Sequence, residues 1–248
     1  MNGTLYKYET HCHTAPVSQC AAASVKETVR FYKEIGYDGI FITNHFLDGN
    51  INIGVREMPY AQQVEFYFSD YEEGLIEGEK AGLKVFPAVE LSYGGTDFLI
   101  YGPEKDWYLA HPEIMDMKKT GELKLLADEG AFIVQAHPFR EAGYIDHIRL
   151  FPRSVHAVEV VNSNRPEPVN RMADIYAEHY DLLKICGSDN HRAGGLFADL
   201  EGKGLRPEIA GMCSEQPVNS VSDFIRIFLS GGMRMFVQSA SGAFSFIG

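Results

Sequence analysis

The sequence predicts an α/β fold built on a mostly parallel sheet or a barrel, and three observations carry that expectation. The first is length: 248 residues exceed the about 100–200 of one small domain, yet suit a single α/β barrel or doubly wound sheet. The second is composition. Hydrophobic residues make up 45% and charged residues 23%, which supports a real core and excludes a disordered, collagen-like or coiled-coil chain. The third is the alternation of short apolar runs with longer stretches of helical spacing, the mark of repeated β-then-α units. No repeat, low-complexity tract or long linker divides the chain, so one domain over residues 1–248 is expected.

In order, Leu5–Thr10 reads as a strand. Val25, Val29, Tyr32 and Ile35 then recur near helical spacing, with Ser24 as N-cap and Gly36 as stop. Gly39–Thr43 is strand-like, and Tyr60–Ala81 is helical and closed by Gly82. Leu83–Val89 and Phe98–Tyr101 read as strands, followed by a helix over Met117–Glu129 before Gly130. Ala131–Ala136, His156–Val161, Leu182–Cys186 and Arg234–Gln238 are strand-like, with helices near Pro168–Tyr180 and Val221–Leu229. Phe197–Asn219, long and containing Gly and Pro, reads as an excursion or lid. The tail Ser239–Gly248 suits a last strand or a docked terminus.

Charge narrows the function classes. Lys plus Arg is 22 against 34 Asp plus Glu, a net charge of −12, which repels a phosphate backbone at long range and argues against nucleic acid as a partner. No run reaches the roughly 18 apolar residues of a membrane span, and Met1–Tyr8 lacks the pattern of a signal peptide. A cytoplasmic protein without a membrane partner is expected. Cys12, Cys20, Cys186 and Cys213 show no CxxC spacing, so reduced thiols are the default.

Ligand-type side chains stand where the strand-like runs end. His11 and His13 follow the first run, His45 the second, Glu90 the third, His137 the run ending at Ala136, and Asp189 and His191 the run near Cys186. In parallel α/β folds such ends gather at one rim, where active sites are built. Residues i and i+2 of an extended chain face the same way, so His11 and His13 can reach one cation, as can Asp189 and His191. Imidazole with carboxylate suits Zn²⁺, Mn²⁺ or Fe²⁺ rather than Ca²⁺, and Glu90 has two oxygens with which to bridge two ions. His111, His147, His156 and His179 fall in helices, loops or strand interiors and read as structural.

These residues stand in motifs: His11-Cys-His13-Thr14, Thr43-Asn44-His45, Val-Glu90-Leu-Ser, Ala136-His137-Pro138-Phe139-Arg140, Glu159-Val-Val-Asn162 and Gly187-Ser188-Asp189-Asn190-His191. The ordered set, spanning about three quarters of the chain, resembles the PHP (polymerase and histidinol phosphatase) family. The resemblance implies a distorted (β/α)7 barrel with two or three divalent metals at the C-terminal rim, and hydrolysis of phosphate esters. It implies that His11, His13, Glu90 and Asp189 hold a first metal, that Glu90 and His137 hold a second, and that His45 and His191 belong to a third. Asp97 stands where the family often has His. Ser18 and Asn44 replace the charged or imidazole residues usual near the third metal, so that site is expected to be weak.

Substrate phosphate needs cations of its own, and guanidinium offers a planar fork that fits its oxygens. The resemblance points first to Arg140, and Arg192 and Arg165 follow as further candidates. Asn162 and Asn164 could orient substrate oxygens, and His191 could protonate the leaving group were the third site empty. The reading is a metal-dependent phosphomonoesterase acting on a small organic phosphate. Its alternatives are a metal-dependent hydrolase of a C–N bond and a metal-binding domain without turnover.

Overall fold

The computed structural model describes residues 4–248. Among them the strands are β1 (Tyr6–Cys12), β2 (Gly39–Ile42), β3 (Lys84–Pro87), β4 (Val89–Tyr93), β5 (Thr96–Tyr101), β6 (Phe132–Ala136), β7 (Ala157–Asn162), β8 (Leu183–Gly187), β9 (Glu208–Ser214), β10 (Met233–Ser239) and β11 (Phe244–Ile247). The helices are α1 (Val25–Glu34), α2 (Tyr60–Ala81), α3 (Lys105–Ala110), α4 (Lys119–Asp128), α5 (Glu167–His179), α6 (Leu196–Gly202) and α7 (Val221–Leu229).

Local signals explain several boundaries. Ser24 and Glu27 form a reciprocal capping box that starts α1. Gly82, at φ +69°, ends α2. Gly78 lets α2 lie against the chain entering β3, since a Cβ there would come within 2.6 Å of the Leu83 carbonyl oxygen. Tyr93 pairs with Thr96 across Gly94-Gly95, both at positive φ, the geometry of a tight hairpin turn.

The strands form two sheets, β11-β10-β9-β1-β2-β3 and β4-β5-β6-β7-β8. Four of the nine ladders between described strands are parallel and five antiparallel. The mostly parallel sheet expected from the β-then-α alternation is thereby corrected. The β4–β5 and β10–β11 connections are too short for a crossover, so those pairs must be antiparallel. The run 83–89 divides at Ala88 between β3 and β4, which belong to different sheets.

The expected lid is corrected too. Residues 197–219 hold most of α6 and all of β9, a largely buried strand paired between β1 and β10. Its Ile209, Ala210, Met212 and Cys213 are buried, and that apolar surface holds it inside rather than over the site. The tail adds β11 as an antiparallel edge strand.

Tyr8, Phe41 and Met212 of one sheet share an apolar core with Leu99, Val134 and Ile185 of the other. Helix α7 joins this core, with Phe224 packed on Phe41 and Tyr101. Helices α1 and α6 contribute to a second cluster with β2 and β3, α2 and α4 to a third with β4 to β6, and α5 to a fourth with β7. No continuous ladder closes the described strands into a barrel. Single bridges join the sheets at two seams, Cys12 to Asn190 and His45 to Glu90.

Candidate metal centre

The two seams meet the ligand-type residues. His11 lies in β1, with His13 just past its end and His45 past the end of β2, all on one sheet; Glu90 and Asp97 lie in β4 and β5, and His137, Asp189 and His191 follow the ends of β6 and β8, on the other. Glu90 lies within β4 rather than beyond a strand end. His11, His13, Glu90, Asp97, His137 and Asp189 are buried. His137 and Asp189 hold positive φ, 26° and 55°, a conformation disfavoured for residues with a Cβ and typical of functional sites.

The ligand atoms converge. His11 Nε2 lies 3.2 Å from His13 Nε2, 3.3 Å from Glu90 Oε1 and 3.5 Å from Asp189 Oδ1. His13 Nε2 lies 3.4 Å from Glu90 Oε2 and 3.3 Å from Asp189 Oδ1. His137 Nε2 is 3.6 Å from Glu90 Oε1 and 3.8 Å from Asp189 Oδ2. With metal–ligand bonds of about 2.1 Å, neighbouring ligands of one ion stand about 3.0–3.4 Å apart. The inner separations fit that spacing.

Hydrogen bonds around the cluster aim the lone pairs inward. His11 Nδ1 contacts Glu159 Oε1 at 2.8 Å, while Glu159 Oε2 accepts from His137 N and Asn162 Nδ2. This carboxylate fixes the His11 ring, as outer residues do around bound metals. Ser18 Oγ donates to Asn44 Oδ1 and accepts from His45 N, so its 3.1 Å contact with His13 Nδ1 requires the imidazole to donate. His13 Nε2 then carries the lone pair. His191 Nδ1 meets the Asp189 carbonyl oxygen at 2.8 Å, which leaves Nε2 as its open nitrogen.

The electrostatics call for positive charge. Burial disfavours a charged His11, but Glu159, Asp189 and Glu90 outweigh it and draw its pKa well above the ordinary value. Burial also opposes charge on Glu90, yet His45, His11 and His13 hold it well below the usual carboxylate range. Both Glu90 oxygens are nevertheless buried without a hydrogen-bond partner, as is His45 Nδ1, which stands 2.7 Å from Oε2 out of hydrogen-bond alignment. Unpaired buried oxygens cost about 1–3 kcal/mol each, whereas a divalent cation would satisfy them. The residues therefore fit a metal centre.

The remaining candidates divide. Asp97 lies with Glu90 and His137, their ligand atoms within 4.8 Å of one another, but Ser92 Oγ donates to its Oδ1 and Arg140 to its Oδ2. It anchors the arginine. Arg140, held also by Tyr144 and the Gly95 carbonyl, and Arg165, paired with Asp189 at 3.0 Å, line a cavity of about 500 Å³ with His45, His137 and His191. The structure does not bring Arg192 there: it pairs with Asp199 at 3.0 Å and lines a different depression. Asn162 and Asn164 lie behind the centre. Asn162 donates to Glu159, and Asn164 holds the Ser188 and Asp189 carbonyls.

Sequence reasoning assigned no role to Glu159 or Glu9, and for Cys20 it noted closeness to the site, with reaction or ligation open, without assigning either. Glu9 accepts from the backbone N–H groups of His11 and Ser188 and from Tyr32, tying β1 to the turn after β8; burial pushes its carboxyl up to about 7. An acidic residue inside an apolar strand was the available signal for Glu159, whereas the polar run of β1 offered none for Glu9. Cys20 lines the cavity beside His45 and His191. Burial pushes its thiol up, but His191 and His45 beside it outweigh that and bring it down to about 6.

No family model and no curated protein matches the sequence, so the likeness to known proteins is one of structure. A two-domain protein from Bacteroides vulgatus containing a predicted PHP-like metal-dependent phosphoesterase superposes with a TM-score of 0.66 at 16% identity, over 94% of this chain and 65% of that one. The fold is that of the PHP-like proteins. PsfC from Pseudomonas syringae matches at 0.58 and 17% identity over 90% of this chain and 88% of that one. A candidate metal-dependent phosphoesterase from Bifidobacterium adolescentis matches at 0.51 and 13% identity, over 78% of this chain and 90% of that one. The chain thus spans just under two thirds of the two-domain protein. Among the described residues no helix is long and apolar enough to cross a membrane.

Proposed function

We propose that this PHP-like chain is a metal-dependent hydrolase of phosphate esters, a phosphomonoesterase for a small organic phosphate, and that its two sheets are the halves of a distorted (β/α)7 barrel. The observation that carries the metal reading is Glu90, whose two buried oxygens have no hydrogen-bond partner inside a ring of histidines. His11, His13, Glu90 and Asp189 would hold one ion, and Glu90 and His137 a second. The ions would be Zn²⁺, Mn²⁺ or Fe²⁺, by the chemistry of imidazole with carboxylate. When bound, such ions lower the pKa of water toward neutrality and neutralise charge on phosphoryl oxygens.

The chain's own residues supply orientation. Arg140 and Arg165 border the same cavity, and each keeps a buried Nε–H without an acceptor. Two such donors beside a metal cluster favour an anionic phosphoryl group over a neutral amide. Asp97, Tyr144 and the Gly95 carbonyl hold Arg140 in place, so little side-chain freedom remains to be lost on binding.

The test is phosphate release after anaerobic reconstitution with Mn²⁺, Fe²⁺ or Zn²⁺, over sugar phosphates, nucleotides and bisphosphates, beside a matched panel of amides. Turnover of a phosphate ester is the expected result. Turnover of amides alone moves the protein to C–N hydrolysis, and metal binding with neither activity makes it a binding domain.

A further inference from the structure

Helix α2 buries a carboxylate that neither the ligand cluster nor the cavity uses. Asp70 is buried, its Oδ2 accepts from Thr14 Oγ1 at 2.6 Å and from Asn44 Nδ2 at 3.0 Å, and among the described residues no cation pairs with it. Burial pushes its carboxyl above the ordinary range, against the pull of these hydrogen bonds. A buried carboxylate without a counter-ion costs stability, so packing alone does not account for it.

Its two donors lead to the metal centre. Asn44 turns its amide nitrogen to Asp70 and Thr14 Oγ1, and its oxygen to Thr14 N at 2.7 Å and Ser18 Oγ at 2.9 Å. A carboxylate only accepts, so Asp70 holds the amide in this orientation. Ser18 must then donate to Asn44, and its two lone pairs receive His45 N at 3.0 Å and His13 Nδ1 at 3.1 Å. His13 in turn bears its hydrogen on Nδ1 and presents a bare Nε2 to His11, Glu90 and Asp189, at 3.2, 3.4 and 3.3 Å. Thr14, Ser18 and Asn44 are all buried, and each hydrogen bond fixes the direction of the next.

We propose that Asp70 is a positioning residue for the metal centre: through Asn44 and Ser18 it fixes the hydrogen of His13 on Nδ1 and makes Nε2 the better electron-pair donor to a bound ion. Glu159 acts on His11 by direct contact, whereas the action of Asp70 on His13 passes through two neutral side chains. Ser18 and Asn44 are thereby spent on orientation, with every hydrogen and lone pair of the hydroxyl and the amide engaged. This inference rests on the metal-dependent reading above.

Mn²⁺ titration of the metal-free protein tests it with Asp70→Asn, which keeps the shape of the side chain and removes its charge. The tighter Mn²⁺ site should weaken by about threefold to tenfold, while the stability of the metal-free protein stays level or rises, because a buried charge has gone. A purely structural Asp70 gives the reverse, lower stability at unchanged affinity, and that result overturns the proposal. Ser18→Ala removes the last link and should weaken the site by about tenfold; adding Asp70→Asn should then change little, since both act along one chain. Effects that multiply would mean that Asp70 acts by another route, and the relay falls. Long-range proton–nitrogen spectra of the metal-free wild type at mildly alkaline pH need no change to the relay. They should show His13, assigned by its loss in His13→Gln, with Nδ1 protonated and Nε2 bare, and the opposite tautomer overturns the proposal while the metal reading stands. A wild type that binds no Mn²⁺, Fe²⁺ or Zn²⁺ overturns the metal reading itself.

Discussion

Lys119 and Glu122, both buried, form one charged cluster with Asp48 at the surface beside them, and Glu90, Asp189 and their histidines form another. Ser92 touches both neighbourhoods, donating from its backbone to Asp48 and from its hydroxyl to Asp97. In the first cluster the chain supplies its own cation: Lys119 Nζ lies 2.8 Å from Asp48 and 2.6 Å from Glu122. In the second, Glu90 sits among imidazoles with both oxygens unpaired. Buried charge alone is therefore a poor sign of function in this molecule. What separates the two is whether the chain's own donors account for every buried oxygen.

The sharpest way to break that contrast is to remove an inner ligand. Asp189→Ala takes away the carboxylate that faces His11, His13 and His137; phosphate release should fall by about 10³-fold or more, roughly 4 kcal/mol, with loss of at least one bound metal by elemental analysis. Unchanged metal content would place Asp189 outside the centre. The matching change in the other cluster is Lys119→Met, which leaves the buried Glu122 carboxylate, and Asp48 at the surface, without their cation. Burial already pushes Glu122 up to about 7 with the lysine present. Chemical denaturation should show a loss of about 3 kcal/mol with metal stoichiometry unchanged. If metal content falls together with stability, the two clusters are one unit and the contrast fails.

The sequence exposed one of these clusters and hid the other. His11, His13, His45, His137, Asp189 and His191 could be read because short strands aim their ends at one place, and local periodicity marks where a strand ends. Tyr60–Ala81 and Val221–Leu229 were readable residue for residue as helices. Lys119, Asp48 and Glu122 had no such marker, because their meeting depends on how α4 packs against the loop after β2. The same dependence concealed β9: Glu208–Ser214 becomes a central strand only once β1 and β10 flank it. The β4–β5 hairpin could have been read from Gly94-Gly95 between two strand-like runs. Arg192 misled for a simpler reason, since adjacency to a ligand in sequence says nothing of where a side chain turns.

The two arginines that follow ligands in the sequence give the closest comparison and the smaller effects. Arg140→Ala should lower kcat/KM by about 10²-fold, roughly 2.7 kcal/mol, at unchanged metal content, and Lys should restore only part, because an ammonium lacks the planar fork. Retained kcat/KM would pass the phosphate role to Arg165. Arg192 lies at the end of this scale. Its side chain is 53% exposed and meets Asp199 at 3.0 Å, outside the cavity that Arg140 lines. Asp199 also accepts from Lys203 at 2.6 Å, so Arg192→Ala leaves no unpaired buried charge behind. Exposed ion pairs contribute about 0–1 kcal/mol, and the change in unfolding free energy should stay within about 0.5 kcal/mol. With no contact to the metal-centre residues, kcat/KM should change by less than about twofold, or about 0.4 kcal/mol. A tenfold loss in kcat/KM at unchanged stability would mean that Arg192 swings toward the cavity when substrate binds, and the division between the two arginines would have to be redrawn.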